Sequence, residues 1–250
     1  MRATNLAEHL KIEVKADAKS IWFRGQHDAS WGLSPKLYRR EFDKAHEPEI
    51  RQEFQSRAVQ MIQGRLPASK WEWYFVMQHY GAPTRLLDWT DNPLVALFFA
   101  LHKHPMAAEA AVWALDPWWL NRKLHKGVVG PMEVGWKEAE PYLRNLEAAF
   151  ESDRRASRGP AAIEPPHVDR RLAAQRSRFL IFGKAKDLTK TKAAREPDKT
   201  CGLTKITIPI NAIGGMRSDI ESAGLTISTI FPDLSGLCEE LCDSWVRRSR

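Results

Sequence analysis

Two short segments of this chain concentrate side chains that can do chemistry. The first is Trp22-Phe23-Arg24-Gly25-Gln26. Arg24 offers a planar fork that pairs bidentately with phosphate or carboxylate. Gly25 lets a ligand or another backbone come close, and Gln26 can both donate and accept. The second runs from Gln78 to Thr90 and holds Gln78, His79, Tyr80, Thr84, Arg85, Asp88 and Thr90 among Leu86, Leu87 and Trp89. His79 and Asp88 are candidate acid–base groups, and Arg85 can balance phosphate charge. A packing role stays open for each: Arg85 and Asp88 can pair internally, Asp88 or Thr90 can cap the helix that follows, and Arg24 can pin a loop through carbonyls. A third segment, Arg170 to Phe182, places Arg171 four residues before Gln175, where a basic helix end meets a strand.

Other signatures are missing. The chain has no Walker-type loop and no nucleophile elbow. Cys238 and Cys242 stand four apart on a helical pattern without the two further ligands of a structural zinc, so no metal site is expected. No carboxylate pair is placed for glycosidase chemistry. A hydroxyl–His79–Asp88 triad is neither supported nor excluded by spacing.

The elements that must position these groups follow from periodicity and punctuation. At 250 residues, 43% hydrophobic and 28% charged, the chain can build a packed core. A short strand is expected at Ser20–Arg24, after an N-terminal helical lead-in over 1–19. His46-Glu47-Pro48 opens a helix with Ile50, Phe54, Ala58, Met61 and Ile62 on one face. Trp71–Tyr80 reads as an aromatic helix stopped by Gly81-Ala82-Pro83. The Gln78–Thr90 segment is then expected as a linker between helices, and Asp91-Asn92-Pro93 starts a buried helix to about His102. Strands are expected at Ala110–Leu115, Arg178–Phe182, Lys205–Ile210 and Leu225–Ile230. Helices are expected at Glu138–Glu151, Ser218–Ala223 and along Leu237, Leu241 and Trp245. Scattered strands without βαβ alternation favour an α+β fold.

Charge is uneven. Residues 151–200 hold 13 Lys+Arg against 7 Asp+Glu, so most of the net +7 sits in one fifth of the chain. Such a field suits nucleic acid or another polyanion, or forms a solvated basic loop, and mobile basic loops are expected at 152–168 and 187–202. No apolar run reaches membrane-span length, the N-terminus lacks a signal-peptide pattern, and 3 Cys make no disulfide framework. A cytoplasmic protein with no membrane partner is the expectation.

Longer patterns carry a resemblance. Phe23-Arg24-Gly25, then Trp31-x-Leu33-x-Pro35-x-Leu37-x-Arg39, then Gln78-His79-Tyr80-Gly81-x-Pro83-Thr84-Arg85-Leu86-Leu87-Asp88-Trp89-Thr90 resemble the FRG domain, named for its Phe-Arg-Gly motif. Arg171-x-x-x-Gln175-x-x-x-Phe179 and Phe231-Pro232-Asp233-Leu234 extend it to about Leu241. The resemblance implies one FRG-like domain over 1–250. It implies a split or mixed β-sheet flanked by helices, like that of ADP-ribosyltransferases, in a bacterial or phage toxin or defence setting. It also implies NAD as substrate and a protein or nucleic-acid target, with a cognate inhibitor among the partners. On that analogy Arg24, His79, Asp88 and Gln175 form the catalytic set. Phe23, Gln26, Tyr80, Thr84, Arg85, Thr90 and Arg171 bind the ligand. The transferases' late Glu is absent, because Gln175 stands where it is expected. Two other functions stay open: a metal-independent nuclease, and a non-catalytic sensor of a nucleotide or phage component.

Overall fold

A computed structural model describes residues 21–39, 42, 46–62, 64–134, 137, 159–165, 170–195 and 202–248. The strands are β1 (Trp22–Gln26), β2 (Leu86–Thr90), β3 (Ala110–Leu115), β4 (Met132–Glu133), β5 (Ala161–Glu164), β6 (Ser177–Ile181) and β7 (Leu203–Ile208). They form one seven-stranded sheet in the order β4-β5-β6-β2-β1-β3-β7. The β4–β5 pair is parallel and the other pairs are antiparallel, so the sheet is mixed and the fold is α+β.

The helices are α1 (Glu47–Ala58), α2 (Lys70–His79), α3 (Pro93–Leu101), α4 (Pro117–Leu124), α5 (Arg170–Ala174), α6 (Lys192–Arg195), α7 (Ile210–Ser222), α8 (Ile227–Ile230) and α9 (Leu234–Arg248). The two-residue alternation of the strands divides the core between two faces. Phe23 of β1 packs with α3 and α7, while its neighbour Trp22 packs on the other face with Leu87, Trp89, Trp113 and Trp119. A second cluster joins α2 to Leu86, Phe179 and Ile163 on the α3 side. The Asn92 side chain accepts from the Leu94 amide (2.9 Å) ahead of Pro93, so the expected cap starts α3. Among the described residues no helix is long and apolar enough to cross a membrane.

Four expectations change. Leu86–Thr90 is a central strand, not a linker, because Leu87 and Trp89 bury on one face and Leu86 on the other. Leu225–Ile230 is not a strand. The Thr226 and Thr229 side chains close a reciprocal capping box and turn Ile227–Ile230 into helix despite its β-branched residues. Within the expected loop 152–168, Ala161–Glu164 forms β5 with Ala161, Ala162 and Ile163 fully buried. Within 187–202, the buried Asp187 side chain accepts from the amides of Leu33 (3.1 Å) and Thr189 (2.9 Å), starting a 3-10 turn that leads into α6. The lead-in over 1–19 and the helix expected at Glu138–Glu151 lie outside the described residues.

Candidate functional site

The site forms where β1 and β2 meet. These strands are in register at one pair, Phe23 opposite Thr90. Away from it, β1 follows β3 and β2 follows β6. The Arg24 side chain spans the separation and donates from a terminal nitrogen to the Asp88 carbonyl at 2.7 Å. The same nitrogen lies 3.9 Å from Asp88 Oδ2. Arg24 is therefore held by the backbone and has little direct ion pairing.

Gly25 explains the position of this strand. A Cβ there would collide with the Ala96 carbonyl and the Ala100 amide of α3. Only glycine lets β1 lie against that helix backbone, which sets the depth of Arg24.

Arg24 is deeply placed, with 16% of its side chain exposed. Burial pulls its pKa down to about 10; Asp88 opposes that change and Arg39 adds to it. Its Nε is enclosed and has no hydrogen-bond partner among the described residues. A buried cation with an unspent donor is costly unless something anionic meets it.

Asp88 sits beside it, with 59% of its side chain exposed. Its orientation comes from a relay. Thr84 Oγ1 accepts from the Leu86 amide (3.1 Å) and donates to Gln78 Oε1, and Gln78 Nε2 donates to Asp88 Oδ2 at 2.8 Å. Oδ1 has no hydrogen-bond partner among the described residues. The result is an oriented carboxylate with one oxygen open, next to a buried guanidinium. Lys36 donates to the Gly81 carbonyl at 2.6 Å, just after α2. Tyr80 is exposed at the end of α2 and packs edge-on against His79 at 4.7 Å.

The remaining sequence-derived site residues are engaged elsewhere. Arg85 forms a buried ion pair with Glu47 (2.6 Å), and Tyr74 donates to the same carboxylate (2.6 Å) while accepting from the Arg85 amide (2.7 Å). Burial opposes the Arg85 charge, but Glu47 and the tyrosines Tyr38 and Tyr74 outweigh it and hold its pKa up. Gln26 donates to the Gly32 carbonyl (3.0 Å) and accepts from the Trp113 indole (2.8 Å). Thr90 is buried and accepts from the Asn92 amide (3.1 Å), ahead of α3. Phe23 is core.

In the third segment, β6 pairs with β2, but Gln175 and Arg171 are engaged with Ile230 and Phe231. Gln175 donates to the Ile230 carbonyl at 3.2 Å, and the Arg171 guanidinium lies 4.5 Å over the Phe231 ring. Part of the basic charge here is spent within the fold: Arg176, at φ 47°, and Arg178 both pair with Asp91, at 2.5 and 2.8 Å.

Arg24, Thr84 and Asp88 thus converge with Gln78, and His79 and Tyr80 end the helix that carries Gln78. Lys36, Arg39 and the positioning role of Gln78 were not assigned from sequence. Their signal was present in the Trp31 to Arg39 pattern and at the head of the second motif, but spacing does not show that Arg39 acts on Arg24 or that Gln78 orients Asp88.

Residues 19–109 match the family model of the FRG domain. That stretch contains β1, α1, α2, β2 and α3, and with them both walls of the site. No curated protein and no solved structure matches the chain.

Proposed function

We propose, for a chain that carries an FRG domain, that the gap between β1 and β2 binds a phosphate-bearing nucleotide, with NAD as the ligand and ADP-ribosyl transfer as the reaction. The observation that carries this reading is the buried Arg24, with its Nε unspent, beside the open oxygen of Asp88. A diphosphate meets the unspent Nε of Arg24, and Arg39 adds to the favourable field. When nicotinamide leaves NAD, positive charge develops on the ribose carbon. A preoriented carboxylate stabilises such charge, and it can take the proton of an attacking hydroxyl. Asp88 thereby does the work that a late Glu does in the transferases, and Gln175 has no part in it. The same reading includes a bacterial toxin or phage-defence setting and a protein or nucleic-acid acceptor.

The test is calorimetry with NAD together with release of free nicotinamide. Arg24→Gln should lose binding and stay folded. Asp88→Asn should keep binding and lose release. If NAD neither binds nor is cleaved, the reading fails. Binding without turnover makes the domain a nucleotide sensor. Cleavage of DNA or RNA in chelator, abolished by both variants, makes it a metal-independent nuclease.

A further inference from the structure

A cavity of about 260 Å³ lies among α3, α7, α8 and α9 and shares no residue with the Arg24–Asp88 site. Its size approaches the low end of small-molecule pockets, about 300 Å³. Phe98, Ile220 and Ile227 give it an apolar floor, and Arg217 and Asp243 are part of its charged wall. Most of the other charges there are already spent. His102 and Lys103 both hold Glu239, at 2.9 and 2.8 Å, and Glu240 accepts from the Ser228 amide at 2.7 Å.

Arg217 and Asp243 differ. Neither has a hydrogen bond or ion pair among the described residues, and the Arg217 Nε is enclosed with no partner. A cation and an anion therefore line one apolar-floored cavity without touching each other. Asp243 lies within electrostatic reach of His102 and Lys103, while the enclosed Arg217 Nε is a donor left unspent among the described residues, and an enclosed polar atom without a partner costs free energy.

We propose that this cavity binds a small zwitterion with an apolar side chain, an α-amino acid. Arg217 takes its carboxylate as a bidentate pair. Asp243 takes its ammonium group. The side chain lies over Phe98, Ile220 and Ile227.

The experiment is calorimetry on the full chain with L-phenylalanine and L-leucine. 2-Phenylethylamine and 3-phenylpropionate serve as comparators that each lack one charge. The amino acids should bind, and each comparator should bind about tenfold more weakly or worse, the worth of one lost charge-assisted hydrogen bond. Arg217→Gln and Asp243→Asn should each weaken the amino acid by a similar factor. Arg217→Gln should leave 2-phenylethylamine unchanged, and Asp243→Asn should leave 3-phenylpropionate unchanged. This pattern separates lost recognition from a damaged fold, which would weaken every probe together. No binding of either amino acid at millimolar concentration overturns the proposal. So does equal binding of amino acids and comparators, or binding that neither substitution alters.

Discussion

Replacing Arg24 with Met should abolish ligand binding while leaving the protein about as stable as before, or more so. The folded state pulls the Arg24 pKa from its ordinary value down by about two and a half units, to about 10. At about 1.4 kcal/mol per pKa unit, holding this charge costs about 3.5 kcal/mol. At neutral pH the folded and unfolded chains both keep the proton, so the folded state carries that cost in full. It is relieved only as pH rises from about 10 toward the ordinary arginine value. Against it stands the hydrogen bond to the Asp88 carbonyl, worth about 1.5–3 kcal/mol for a charged donor. Met keeps much of the aliphatic stem and drops both terms. The expected change runs from zero to about 2 kcal/mol of stabilisation, or a few degrees in melting temperature for a chain of this size. Chemical denaturation gives the stability, and calorimetry with NAD gives the binding. A loss of more than about 3 kcal/mol would show that Arg24 is a structural clamp, and intact NAD binding would remove it from the site.

Arg85→Met should destabilise by about 3–5 kcal/mol because it strands the buried Glu47 carboxylate. Glu47→Leu combined with Arg85→Met should recover most of that loss in urea titrations, and failure to recover would mean that Arg85 has a further role. Gly25→Ala should cost about 3 kcal/mol or more by pushing β1 off α3, read as a lower midpoint or loss of soluble protein. Burial is the main cause holding the pKa values of His27, His102 and His125 below the ordinary histidine value. The unfolded chain therefore binds more protons just below pH 6.5, so stability should be present above about 6.5 and fall as pH drops through the folded values. Melting curves at pH 7.5 and 5.5 check this, and an unchanged midpoint refutes it.

Much of this was legible in residue order, and the failures have physical causes. Arg24, Gly25 and Asp88 stand out because a cation beside a glycine and a carboxylate between large apolar residues are rare in plain packing. Helix starts such as Asn92-Pro93 read directly, since capping is local. Strand β2 was hidden because five residues between two helices look like a linker until Leu87 and Trp89 find Trp22 across the sheet. The α8 segment misled because its Ile and Thr content favours strand while two threonines, three apart, close a cap. The Arg85–Glu47 pair joins residues 38 apart, and nothing along the chain announces that distance. Gln175 looked catalytic by its place in a pattern. Its hydrogen bond to Ile230 depends on where the C-terminal helices dock, which no local rule supplies.

The sheet order has a consequence for dissection of the protein. The FRG stretch supplies β1 and β2, adjacent at the centre of the sheet. Their outer neighbours, β3 and β6, come from beyond residue 109. Cut out at the family boundaries, that stretch would be a two-stranded ribbon with both flanks bare, joined at one registered pair. Unpaired edges of that kind invite pairing with other copies. The FRG stretch is therefore the keystone of a wider arch: a fragment of residues 19–109 should aggregate, while adding the strands on either side should restore a soluble protein.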